Sequence, residues 1–102
     1  MTLKTEKRTL LTVITESAIE EILLKDLEKL GVRGYTVSDA RGRGVRGVRD
    51  ASWGEVSNIR LEVICTRALA EAVINHIQSH YFHNYAMVTF LQDVEIIRPE
   101  KF

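Results

Sequence analysis

Arginine and glycine alternate in one short segment, which is the part of the sequence with the clearest chemical potential. Four arginines and three glycines fall within residues 41–49, which read RGRGVRGVR. Glycine lets backbone N–H groups turn toward an anion, and a guanidinium group can hold a phosphate through two parallel hydrogen bonds. The segment therefore predicts an anion- or phosphate-binding loop, with a solvated basic loop as the competing interpretation. It is not a Walker motif, because no Gly-Lys-Ser/Thr follows.

Three histidines form a second candidate constellation. His76, His80 and His83 are spaced by four and then three residues, so on a helix they could share a face and ligate a metal ion. No cysteine or carboxylate beside them completes a ligand set, and His76 falls on an apolar stripe. A structural role is therefore favoured, and a metal-binding trimer that uses these histidines is kept as an alternative. No Ser-His-Asp or Cys-His arrangement stands out, so we predict no catalytic residue and no enzyme activity.

The composition is that of one ordinary domain. The chain has 102 residues, 14 of them basic and 14 acidic, and 45% are hydrophobic, which is enough for one core. Zero net charge gives no global field that favours nucleic acid or membrane. An RNA-binding module remains an alternative because of the RG segment, but an RNP-type aromatic strand is lacking. One cysteine, no long apolar run and no recognisable signal peptide predict a cytoplasmic protein.

Hydrophobic periodicity orders the elements as β-α-β-β-α-β. Helix one is predicted to begin at Ser17, with Glu20 completing a capping box, and to stop at Gly31. Thr66 is the predicted N-cap of helix two. Strands are predicted over 8–15, 32–38, 57–66 and 86–97. This order predicts an α+β, ferredoxin-like fold, in which two helices cover one face of a four-stranded antiparallel sheet.

The other face of that sheet is expected to stay open. We expect it to carry Val37, Ile64, Thr89 and Leu91, and a partly apolar open face favours oligomerisation. Cys65 is expected to point into the core as a small apolar residue.

Several segments resemble PII-like signalling proteins. Gly34-Tyr35-Thr36-Val37 running into the RG segment resembles the second strand and T-loop of that family. Residues 81–87, YFHNYAM, and 94–99, VEIIRP, resemble the branch associated with bicarbonate transport and carboxysomes (SbtB-type and carboxysome-associated PII proteins). The resemblance covers nearly the whole chain. It implies a single PII-like domain over residues 1–102, with a ligand-sensitive T-loop at about 40–56.

The resemblance also implies a homotrimer with three adenine-nucleotide sites in the clefts between subunits. Arg46 and Arg49 would face the phosphates, and Arg98 would reach a phosphate from a neighbouring subunit. The nucleotide-binding residues implied in this way are Thr36, Ser38, Arg46, Arg49, Asn84, Tyr85, Ala86, Met87 and Arg98. Bicarbonate would lie against Gly44, Val45 and Arg46.

The expected function is therefore regulation of inorganic-carbon uptake or carboxysome-linked metabolism. The T-loop would respond to ADP, AMP, ATP or cyclic AMP, and to bicarbonate, without a cofactor or a metal. A bicarbonate transporter or another inorganic-carbon protein is the expected partner, with membrane association only through it, and nucleic acid is not expected. The short segment 84–87 differs from the longer glycine-rich loop of nitrogen-sensing PII proteins, so 2-oxoglutarate sensing is not expected.

Overall fold

The computed structural model describes residues 2–42, 57–98 and 100. The four strands pair in an antiparallel sheet with the order β2-β3-β1-β4, which confirms the predicted ferredoxin-like plan. Residues 43–56 of the predicted T-loop lie outside the described residues. The elements are β1 (Glu6–Glu16), a 3-10 turn (Ser17–Ile19), α1 (Glu20–Leu30), β2 (Thr36–Ala40), β3 (Asn58–Cys65), α2 (Arg67–His80) and β4 (Met87–Ile96).

The hydrophobic core lies between the two helices and one face of the sheet. Burying a side chain of Leu, Ile or Val size contributes about 1.5–3 kcal/mol. Cys65 points into this core as predicted, and burial raises the pKa of its thiol. Within the described residues, no helix is long and apolar enough to cross a membrane. The core residues with no exposed surface are Leu11, Val13, Leu23, Leu27, Leu61, Ala70, Val73 and Ile77.

Local signals end the helices largely as predicted. Thr66 caps α2, because its hydroxyl oxygen accepts a hydrogen bond from the backbone N–H of Leu69 at 3.2 Å. Gly31 ends α1 with φ at 109°, a left-handed conformation that glycine adopts without a Cβ clash. On α1, Leu23 and Leu27 are fully buried, whereas Ile22 is exposed.

The predicted starts of helix one and of the second strand are both wrong, and in each case a backbone hydrogen bond explains the difference. The capping box does not form, because the backbone N–H of Ser17 donates to the carbonyl of Ser57 at 3.0 Å and Ser17 opens a 3-10 turn before α1. The second strand begins at Thr36 rather than at residue 32. The N–H of Val32 donates back to the carbonyl of Leu27 at 3.0 Å, so the chain is still closing α1 at that point.

The strand register corrects the prediction for the open face. Val37, Thr89 and Leu91 pair with Leu61, Val13 and Leu11, so they lie on the helix-covered face and the prediction for them is wrong. Periodicity alone fixes which residues share a face but not which face is covered. Ile64 does lie on the open face. The open face also carries Leu10, Thr12, Ile14, Arg60, Val88 and Phe90.

Candidate functional site

Apart from Thr36, the described residues that were predicted to bind nucleotide lie at two opposite ends of the sheet. We call one end the loop end, because Ala40 and Asn58, which flank the T-loop, pair there beside Glu16. We call the other the cleft end, where Glu6 pairs with Ile96. Ten residue steps along β1 separate Glu6 from Glu16, which at about 3.3 Å per step is roughly 33 Å.

Thr36 and Ser38 lie on the edge strand β2. They pair with Glu62 and Arg60 of β3, so their side chains belong to the open face. Three strand spacings separate β2 from β4 on the opposite edge, which amounts to roughly 14 Å. Ser38 is near the loop end, whereas Thr36 lies two residues farther from it.

The connector, residues 81–86 between α2 and β4, brings the other predicted residues to the loop end. The backbone N–H groups of Asn84 and Tyr85 each donate to the carbonyl of Tyr81 at 3.1 Å. The rings of Tyr81 and Tyr85 are 5.9 Å apart between centroids. Met87 begins β4 opposite Thr15. The four-residue segment Asn84, Tyr85, Ala86 and Met87 is thus held at one place.

A buried tyrosine anchors this connector to α1. Tyr81 is only 5% exposed, and its hydroxyl donates to Asp26, which also lies 3.0 Å from Nε2 of His76. The hydrogen bond from Tyr81, and after it the one with His76, lowers the pKa of the Asp26 carboxyl. Burial raises the pKa of Tyr81, and the hydrogen bond to the Asp26 carboxylate raises it further. Tyr81 is therefore the core plug expected of an aromatic residue at a helix end.

The histidines do not assemble into a metal centre. The rings of His76 and His80 stack with centroids 4.1 Å apart. Nε2 of His76 faces Asp26, and Nδ1 of His80 lies 2.9 Å from the carbonyl of His76. His83 is in the exposed connector beyond the end of α2. Over residues 2–42, 57–98 and 100, no group of three or more metal-ligating side chains could hold a metal ion.

A cleft of about 210 Å³ opens at the other end of the sheet. The loop from Gly31 to Gly34 forms one wall, the end of β3 with Cys65 forms another, and Glu100 contributes from the C-terminal segment. Arg98 is at the same end, where its guanidinium lies 3.6 Å from the Glu100 carboxylate, and both side chains are largely exposed.

Sequence reasoning did not find this cleft. Its walls come from residues 31–34 and 63–66, which read GVRG and VICT and match no binding motif. Gly31 and Gly34 were the only available signal, since glycines after a helix leave backbone groups accessible. Conversely, the predicted phosphate and bicarbonate residues Gly44, Val45, Arg46 and Arg49 lie outside the described residues.

Comparisons with known proteins support one family. The sequence profile described as "Nitrogen regulatory protein P-II" matches residues 8–101. A PII-like signalling protein from Thermus thermophilus is 36% identical, with a TM-score of 0.82 over 98% of this chain and 99% of that one.

The CPII protein from Thiomonas intermedia is similar over the same length. A structure of CPII bound to ADP and bicarbonate is 25% identical, with a TM-score of 0.84 over 99% of both chains. Another, bound to ADP, AMP and bicarbonate, is 25% identical, with a TM-score of 0.76 over 97% of this chain and 100% of that one.

Proposed function

Because the chain belongs to the nitrogen regulatory protein P-II family, we propose that it is a homotrimeric regulator that binds adenine nucleotides between its subunits. The observation that carries this proposal is the full-length likeness to CPII, a protein solved with ADP and bicarbonate. Proteins of this family are regulatory signalling proteins. Nucleotide, together with bicarbonate, would select the conformation of the T-loop at about 40–56.

The two-ended placement of the predicted residues supports a site between subunits. Asn84–Met87 and Ser38 lie at the loop end, and Arg98 lies at the cleft end. The strands hold these ends roughly 33 Å apart, a distance that one nucleotide cannot bridge. A second copy of the chain must therefore supply one of the two ends. An open sheet face that carries exposed Val88 and Phe90 is the surface on which copies would associate.

The cleft fits one part of a nucleotide. Sites for whole drug-sized ligands usually measure about 300–1,000 Å³, whereas this cleft measures about 210 Å³. We propose that it takes the base, between the backbone of Gly31–Gly34 and the end of β3. The phosphates would then extend toward Arg46 and Arg49 of the adjoining loop end and toward Arg98. Thr36, Ser38 and Asn84–Met87 complete the proposed nucleotide contacts, and Gly44, Val45 and Arg46 the bicarbonate contacts.

The physiological role we propose is control of inorganic-carbon uptake or carboxysome-linked metabolism. The T-loop would bind or release a bicarbonate transporter or another inorganic-carbon protein in the cytoplasm. A ligand shifts such a loop only as far as it binds one conformation more tightly than another. A test with ADP and bicarbonate must therefore measure the conformation of the T-loop as well as the binding affinity.

Calorimetry with ATP, ADP, AMP and cyclic AMP, each with and without bicarbonate, tests the proposal. We expect at least one adenine nucleotide to bind at one equivalent per chain, and bicarbonate to change that affinity. Single-stranded RNA and zinc are the comparison ligands for the alternative functions. Binding of RNA or zinc without any nucleotide binding would overturn the proposed function.

A further inference from the structure

Both backbone groups of Ala86 are bound by side chains from the end of β1. The hydroxyl of Thr15 donates to the Ala86 carbonyl at 2.9 Å, and the Ala86 N–H donates to the Glu16 carboxylate at 3.0 Å. Ala86 is the last residue of the connector before β4. The connector thus approaches the sheet in a geometry that two adjacent residues of β1 define.

Ser17, which follows Glu16, is hydrogen-bonded to the segment in which the chain returns from the T-loop. The N–H of Ser17 donates to the Ser57 carbonyl at 3.0 Å. Ser57 directly precedes β3, where the chain returns to the sheet after the T-loop. Glu16 also pairs with Asn58 in the β1–β3 ladder. One short stretch, Glu16–Ser17, therefore contacts both the connector and the return of the T-loop.

We propose that Glu16 is a positioning residue that orders the connector for nucleotide binding and couples it to the return of the T-loop at Ser57. This inference rests on the proposed function. The physical reason is that residues 81–86 have no strand or helix of their own, so their order depends on such contacts. A carboxylate that accepts a backbone N–H forms a charge-assisted hydrogen bond. Order established before binding lowers the entropic cost of binding.

Amide hydrogen exchange of the ligand-free protein tests the coupling directly. Glu16→Ala should speed exchange at Ala86 and also at Ser17, although the Ser17 amide bonds to a backbone carbonyl that the substitution leaves in place. Glu16→Gln keeps an acceptor oxygen and should be intermediate. Glu21→Ala, at an exposed position of α1, is the control, and exchange at both amides should stay near wild type in it. Faster exchange at Ala86 alone would overturn the coupling.

ADP calorimetry on the same variants tests the positioning role. Glu16→Ala should weaken ADP about three- to tenfold through lost preorganisation, and Glu16→Gln should recover most of the affinity. The surface variant Glu21→Ala, on an exposed position of α1, should bind ADP like wild type. Unchanged ADP affinity in Glu16→Ala would overturn the positioning role. Absence of ADP binding by the wild-type protein would instead overturn the proposed function, and the ligand-free exchange result would still decide the coupling.

Discussion

Mixing two binding-deficient variants should restore nucleotide binding if each site is shared between subunits. In the proposed site, Arg46→Ala would remove a phosphate contact of the T-loop, and Arg98→Ala would remove one at the cleft end. Arg46 is four residues beyond Gly42, so its backbone reaches at most roughly 14 Å from there. The cleft end is roughly 33 Å away along the sheet. In the proposed shared site, the two arginines of one chain contact different nucleotides.

The expected recovery follows from counting sites. In the proposed closed trimer, each site would use the loop end of one chain and the cleft end of the next. After random exchange of subunits at equal amounts, half of the loop ends and half of the cleft ends are intact. About a quarter of the sites should then be intact at both ends. Arg98→Ala should keep its fold, because the Arg98–Glu100 pair is exposed and such pairs contribute little to stability.

Calorimetry of the refolded mixture measures this recovery as the fraction of sites with wild-type ADP affinity, and native mass spectrometry verifies that the subunits have exchanged. The matched control mixes Arg46→Ala with Arg49→Ala. Both substitutions fall in the T-loop segment, so no intact site of the proposed kind can form and no recovery is expected. If the exchanged mixture of Arg46→Ala and Arg98→Ala binds ADP no better than its components, the shared-site reasoning is refuted.

Three further predictions concern single substitutions. Arg46→Ala should weaken ADP by roughly ten- to a hundredfold and leave adenosine nearly unaffected, because a guanidinium–phosphate bond contributes about 1.5–3 kcal/mol; equal small changes for both ligands in calorimetry would contradict the phosphate role. Tyr81→Phe should lower the free energy of unfolding in urea by about 1–2 kcal/mol at pH 7. The pKa of Asp26 is lowered from 3.8 in the folded protein, so the stabilisation by the Tyr81–Asp26 bond is present above pH 3.8 and is lost as the pH falls through the folded pKa. If Tyr81→Phe loses the same free energy of unfolding at pH 7 and at pH 2.5, the role of the Asp26 carboxylate is contradicted. Tyr35→Phe, at an exposed tyrosine, is the control. Thr66→Ala should cost about 1 kcal/mol of stability through the lost N-cap, Thr66→Ser should restore most of it, and equal urea midpoints for all three proteins would rule out the cap.

Local chemistry predicted most of the fold. The predicted inward orientation of Cys65 in β3 is confirmed, and Thr66 and Gly31 marked helix ends because their hydrogen bonds and dihedral angles are local. The failures involve partners that are distant in sequence. Ser17 binds Ser57 rather than Glu20, and the covered face of β4 depends on its register with β1. Neither contact leaves a pattern within a short window.

The candidate site was predicted less completely for the same reason. Asn84–Met87 are predicted through resemblance alone. The cleft needs residues 31–34 beside residues 63–66, and the pairing of β2 with β3 brings them together. Glu16 has no distinctive motif, and its contact with Ala86 arises because β4 begins where β1 ends. The separation of Arg98 from the loop end likewise became evident only from the strand register.

The length of the sheet has a consequence for signalling. A site that needs the loop end of one chain and the cleft end of another exists only in the assembled protein, so nucleotide binding and assembly are linked. A ligand that binds only the assembled form stabilises it by mass action. Dissociated chains should therefore bind ADP poorly through either end alone, and ADP should strengthen the association of the subunits. In such an assembly a T-loop next to the nucleotide reports on a ligand held partly by its neighbour, so the conformation of one subunit depends on contacts that the next subunit provides.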